Sequence, residues 1–185
     1  LDDDGYTYNN NDKIAIEYLI IKPIKLKTMQ NENHGNQVEI LNDLVRINND
    51  RIEGYKKAME NLKEPNPQLQ TLFTQLQQQS AQYTQELREH IQQLGGSADN
   101  DTTTAGKIYR TWMDVKAAFG GDDAQGVLNS CDGGEEAANK AYQTALNNKE
   151  LRPECLSLLN RQHIEQQEAH QRIKNLRDHL KNTKS

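Results

Sequence analysis

The 185-residue chain carries 22 Lys and Arg against 27 Asp and Glu, a net charge of -5 with both signs interspersed, which favours solubility and offers nucleic acid or anionic lipid no electrostatic footprint. Only 34% of the residues are apolar and 5% aromatic, a lean core that suits long amphipathic helices better than a sheet sandwich. The length suits one domain.

Residues 1 to 28 open with Asp2 to Asp4 and Asn9 to Asn11 and continue as a mixed Ile, Lys and Tyr stretch without helical period. They read as a poorly ordered extension or a mis-called leader before Met29, with a short strand or arm over Lys13 to Ile21 as the rival reading. The longest apolar run, Tyr18 to Ile21, falls far short of the roughly 20 residues of a membrane span and lacks the surroundings of a signal peptide. A cytoplasmic protein with no membrane partner is the expectation.

The domain expected over residues 36 to 182 begins with a helix whose apolar places are Val38, Leu41, Val45, Ile52, Tyr55, Met59 and Leu62, with one place skipped at Asn48. Pro65-Asn66-Pro67 ends it; Asn66 suits the cap and Pro67 the first turn of the next helix. That second helix reads Leu69, Leu72, Phe73, Leu76, Tyr83, Leu87, Ile91 and Leu94, broken at Ser80 and closed by Gly95-Gly96. A polar loop over Asp99 to Thr104 leads to a short amphipathic segment, Lys107 to Phe119, carrying Ile108, Trp112, Val115 and Ala118. Gly120-Gly121 breaks it, and Asp122 or Asp123 caps a third helix with Val127, Cys131, Glu135, Ala138, Tyr142 and Ala145 on one face. Gly133-Gly134 within it signals close helix approach, a bulge, or a later helix start.

After Asn147-Asn148, Pro153 opens a fourth helix with the stripe Leu156, Leu159, His163, Gln166, His170, Ile173, Leu176 and Leu180. Cys131 and Cys155 then lie at heights differing by roughly 24 Å, at 1.5 Å per residue, so no bridge between them is expected. Four long helices with a longer middle connection holding a short extra helix describe an all-α four-helix bundle with a crossover.

Each stripe turns polar near its midpoint, and in matched helices these places share one height: Asn48, Ser80, Glu135, and His163, Gln166 and His170. A buried carboxylate needs a partner, and His170, Gln166, Tyr83 and Asn48 are the candidates for Glu135. Tyr55, Tyr83 and Tyr142 are placed to donate hydrogen bonds into this belt. Glu86 and His90, four apart but flanking the stripe, read as a surface pair.

From about Gln37 to Lys181 the chain resembles the ferritin-like superfamily, and more closely a bacterial family of unknown function within it. The resemblance is carried by Leu44-Val45-Arg46-Ile47-Asn48-Asn49-Asp50-Arg51-Ile52-Glu53-Gly54-Tyr55, by Glu86-Leu87 and Leu94-Gly95-Gly96, by Gly134-Glu135-Glu136, and by His170 to Asp178. It implies a ferritin-like four-helix bundle. Di-iron members carry a Glu on each of two helices and Glu-x-x-His on each of the other two. Here Ser80 and Tyr83 fall on one such motif and Gln167 with His170 on the other, while helix three offers Glu135 or Glu136 and helix one Asp50 or Glu53.

The leading expectation is therefore a non-catalytic structural, stress-related or interaction protein without a cofactor, acting as a homo-oligomer or with a protein partner. The alternative is a degenerate iron or single-metal oxidase drawing on Glu53, Glu135, Glu136, His163 and His170, with Glu135 and His170 central. An interhelical pocket for a small apolar or redox cofactor is a third. No Gly-rich phosphate loop, nucleophile elbow or metal-binding Cys motif points to another enzyme class.

Overall fold

The computed structural model of the chain describes residues 17–98 and 123–183. The expected polar loop, the amphipathic segment from Lys107 to Phe119 and the Gly120-Gly121 break lie outside the described residues, as do Asp122 and the opening of the N-terminal extension. The chain divides into two compact units, Leu1–Asn36 and Gln37–Ser185. Within the first, a π-helical turn, Glu17–Ile21, leads into helix, and Tyr18, Leu19, Ile20, Ile21 and Ile24 are exposed.

Every described element is helical: α1 (Lys22–Glu60), α2 (Pro67–Gln93), α3 (Ala124–Leu146) and α4 (Pro153–Thr183). α1 starts 16 residues before the first stripe residue, Val38. Pro23 sits in its first turn, where a missing amide donor costs nothing. No apolar period announces this stretch, because periodicity records burial and the side chains at 17 to 25 are exposed.

The ends follow local chemistry. The Asn66 side chain accepts from the Leu69 amide at 3.1 Å, with Pro67 in the first helical position. Gly95 takes φ +74°, and the Gly95 and Gly96 amides donate to the carbonyls of Gln92 and Ile91, both at 2.9 Å, closing α2. Asp123 caps α3 by accepting from the Gly126 amide at 2.8 Å. α3 runs unbroken through Gly133-Gly134, so neither a later start nor an interruption is needed there.

Side-chain bonds fix the directions of the helices. Asn49 and Ile52 of α1 meet Thr84 and Gln77 of α2, and Asn48 and Arg51 meet Tyr142 and Glu135 of α3. Tyr142 and Asn139 of α3 meet Gln162 and His170 of α4, while Glu86 and Gln75 of α2 meet Gln162 and Arg172. In each pair one number rises as the other falls, so α1 is antiparallel to α2 and α3, and α4 is antiparallel to both. α2 and α3 therefore point the same way, and the chain between them must travel back over roughly the 40 Å length of α2.

Two apolar clusters occupy opposite ends of this arrangement. One joins Leu41, Leu44 and Ile47 to Leu87, Ile91, Ala138, Ala145 and Leu159; the other joins Tyr55 and Phe73 to Leu69, Leu76, Leu128 and Ile173. Residues 41 to 48 are buried on every side of α1, Asn42, Asp43 and Arg46 included. Arg46 answers Asp43 at 3.1 Å, and the Asn42 amide donates to the Ser97 carbonyl. No described helix is long and apolar enough to cross a membrane.

Candidate functional site

Between the two apolar clusters lies a layer of buried polar side chains: Asn48 and Arg51 from α1, Ser80, Tyr83 and Thr84 from α2, Glu135 and Asn139 from α3, and Gln162, His163 and Gln166 from α4. Its centre is Glu135, 1% exposed. Arg51 reaches it with both arms of its guanidinium, Nε to Oε1 at 2.9 Å and Nη2 to Oε2 at 3.1 Å. The Tyr55 hydroxyl donates a short hydrogen bond to the same Oε1. The carboxylate thus accepts three bonds from α1, two of them charge-assisted and bidentate.

Spacing explains the grouping. Asn48, Arg51 and Tyr55 are three and four residues apart, so they share one face of α1. Tyr55 stacks on Phe73 of α2, with ring centroids 5.9 Å apart, which fixes its hydroxyl toward α3. Burial works against the charge on Arg51, yet the nearby Glu135 outweighs it and holds the guanidinium above its ordinary value. Burial and then Glu135 push the Tyr55 phenol well above its own, so it remains a donor.

From Arg51 a chain of donors crosses the interior in one direction. Arg51 Nη1 donates to Asn48 Oδ1 (3.0 Å), Asn48 Nδ2 to the Tyr142 hydroxyl (2.8 Å), Tyr142 to Gln162 Oε1 (2.9 Å), and Gln162 Nε2 to Glu86 Oε2 (2.8 Å). Arg161 also donates to that Glu86 oxygen, at 2.8 Å. Burial opposes the Glu86 charge, but the bonds from Gln162, Arg161 and Gln82 hold the carboxyl below its ordinary value. Tyr83 is tied to α4 through Glu165 (2.8 Å), and burial followed by that bond raises its phenol.

The partners expected for Glu135 are not the ones it has. Asn48 reaches it only through Arg51; Tyr83 turns to Glu165, and His170 turns to Asp132 (Nε2 to Oδ1, 2.8 Å) and Asn139 (3.2 Å). Arg177 closes on the other Asp132 oxygen. A heptad on a straight helix drifts by about 20°, enough to carry His170 from the interior toward the α3 edge, while Ala169 takes the core place at 3% exposure. Ser80 is buried and returns its hydroxyl to the Leu76 carbonyl at 2.9 Å. Gln166 is fully buried. His163 lies flat against the Tyr142 ring, 6.3 Å between centroids and 5° between planes, and burial lowers its imidazole.

The metal set named from sequence does not come together. Glu53 is exposed, as is Glu136, which pairs with Lys140 at 2.8 Å. Glu135 is taken by Arg51 and Tyr55, and His170 by Asp132 and Asn139. Among the described residues, no three His, Cys, Asp or Glu side chains are grouped as a metal site. Glu86 joins α4 instead of forming a pair with His90. Cys131 and Cys155 are free thiols; burial, with Glu135 adding to it, pushes Cys131 up to about 12. An open groove of about 520 Å³ between α2 and α4, around Gln75 and Arg172, is lined by none of the belt residues.

Arg51 is the residue that sequence reasoning missed. Its signal was present: a guanidinium midway along the first helix, on the face of Asn48 and Tyr55, at the height where a buried carboxylate needed a counter-charge.

Residues 36–148, more than half of the chain, match the model of a family described as Domain of unknown function (DUF2383). The chain belongs to this family. The DUF2383 match takes in Asn48, Arg51, Tyr55, Glu135 and Tyr142 but stops before α4, so Arg161, Gln162, Glu165 and Gln166 lie beyond it. No curated protein matches the chain.

Proposed function

We propose that this DUF2383 protein is a ferritin-like four-helix bundle whose central polar site serves structure in place of iron chemistry, and that it acts through its surfaces, as a homo-oligomer or with a protein partner. The helix directions support the first part. Two antiparallel pairs whose middle helices run in parallel require one long crossover, as in ferritin-like bundles.

The observation that carries the second part is the fork between Arg51 and Glu135. A di-iron centre needs several inward carboxylates and imidazoles. Here the buried Glu135 carboxylate already has its counter-charge in a guanidinium fixed on both oxygens, and a second cation beside it would meet that positive charge at close range. The other places hold a hydroxyl at Ser80, an exposed amide at Gln167 and an imidazole at His170 turned to Asp132. These residues do not fit the iron pair.

The test is elemental analysis of the protein as purified and after anaerobic incubation with ferrous iron, alongside Glu135→Ala and a sedimentation measurement of mass. Well under one iron per chain, no acceleration of ferrous oxidation, and a discrete oligomer or a reproducible complex are expected. Two irons per chain, lost in Glu135→Ala, would overturn the reading in favour of an oxidase.

A further inference from the structure

Among the described residues, two neighbouring side chains of α4 in the polar layer have buried polar atoms without a hydrogen-bond partner, as does Asn139 at its Oδ1. Gln166 is fully buried, and neither Nε2 nor Oε1 of its amide has a hydrogen-bond partner. His163, nine-tenths buried, leaves its Nε2 in the same condition. The two are three residues apart on α4, which makes them neighbours on one helix face with Cβ atoms about 5–6 Å apart. Three such atoms on adjacent turns of one helix face call for partners, because buried amides and imidazoles that give up water without a replacement bond work against folding.

Rearrangement among the described neighbours supplies no donor. Gln162 already spends its oxygen on Tyr142 and its nitrogen on Glu86, and the Tyr83 proton goes to Glu165. The Ser80 proton goes to Leu76, and Glu135 accepts from Arg51 and Tyr55. These protons are all spent, so a new donor to His163 or Gln166 drawn from this set would break an existing bond, while the free oxygen lone pairs and the unanswered Asn139 Oδ1 can accept but not donate. What the spot demands is a donor for His163 Nε2, an acceptor for Gln166 Nε2 and a donor for Gln166 Oε1. An anion supplies no donor, and a cation cannot accept from the amide. A small neutral molecule that both donates and accepts meets the demand, and water is that molecule.

We propose that His163 and Gln166 form an internal site for resident water, one molecule bridging the imidazole Nε2 and the Gln166 amide. The water accepts from Gln166 Nε2 and donates one proton to His163 Nε2 and the other to Gln166 Oε1, so the imidazole is neutral with its proton on Nδ1. The site rests on α4 and is independent of the iron reading above.

The deciding measurement is cross-relaxation between water and carbon-bound protons in the full chain by NMR. The His163 ring protons and the Gln166 γ-protons should show water peaks of the sign given by molecules held longer than the tumbling time, and Gln166→Met should abolish those at His163. No water peak at either residue, or only the sign typical of surface hydration, would overturn the proposal. Thermal melting gives a second reading. If the amide were merely unsatisfied, Gln166→Met would raise the midpoint, so a rise of roughly 4 °C or more counts against the site, while an unchanged or lower midpoint supports it.

Discussion

Replacing Arg51 by Met removes the only cation that touches Glu135 among the described residues and keeps a side chain of similar length. Both members of the pair are 2% exposed, so solvent screens their interaction little. The substitution deletes two bonds to Glu135 and one to Asn48, leaving a buried carboxylate with the Tyr55 hydroxyl alone. Breaking a buried pair from one side costs about 3–5 kcal/mol, whereas replacing both members by apolar groups is close to neutral. For a domain of this size that corresponds to a fall of roughly 6–20 °C in midpoint, at 2–4 °C per kcal/mol. The assay is urea denaturation at pH 7 followed by far-ultraviolet circular dichroism, on Arg51→Met, Glu135→Leu and the double variant. The double variant should recover most of the loss, giving a coupling energy of about 3 kcal/mol. Additivity of the two single effects within about 0.5 kcal/mol, or a single Arg51→Met effect below about 1 kcal/mol, would show that the fork does not hold the core as argued.

Gly95→Ala should lower the midpoint by roughly 2–4 °C, since a Cβ at φ +74° costs about 1 kcal/mol. Gly96→Ala should do at least as much, because its Cβ would lie 2.6 Å from Val38 Cγ2, and Val38→Ala should relieve part of that loss in a double variant. Burial lowers the His163 imidazole, so below about pH 6.5 the unfolded chain binds a proton that the folded chain does not. Stability should therefore rise with pH up to about 6.5 and then level off, and His163→Phe should flatten that rise; an unchanged pH profile would refute the assignment. Cys131, pushed up to about 12 by burial, should carry a thiolate fraction on the order of 10⁻⁴ at pH 8. A disulfide-exchange reagent should label it at least a hundredfold more slowly in the folded chain than in denaturant.

Helices two to four could be read from the chain because their ends are written in residues with one main use: Asn66 before Pro67, Gly95-Gly96, Asp123 and Pro153. The start of α1 was not legible, since the exposed residues around Tyr18 to Ile24 have no buried face to impose a period. The polar layer could be placed, because a Glu in the middle of an apolar stripe stands out. Its pairing could not, because sequence spacing assigns a face only to within tens of degrees. Ile52 was placed on the stripe and Arg51 beside it, yet it is Ile52 that lies half-buried and Arg51 that is buried. His170 failed in the opposite sense, a stripe position turned outward to Asp132. The burial of Asp43 and Arg46 left no trace in the period of α1, which assumes that one side of the helix meets solvent.

In its C-terminal half, the buried face of α3 is built around Ala137, Ala138, Ala141 and Ala145. Such a run of equal, small side chains packs almost as well one heptad up or down, so apolar contact alone gives α3 a poor address along its neighbours. Glu135 and Tyr142 lie one heptad apart. A slip by that distance would bring Tyr142 to Arg51 in place of a carboxylate, or carry Leu128 there in the other direction, leaving the guanidinium with no anion. The register of α3 is thus set by which of two positions carries the charge, a distinction the alanines cannot make.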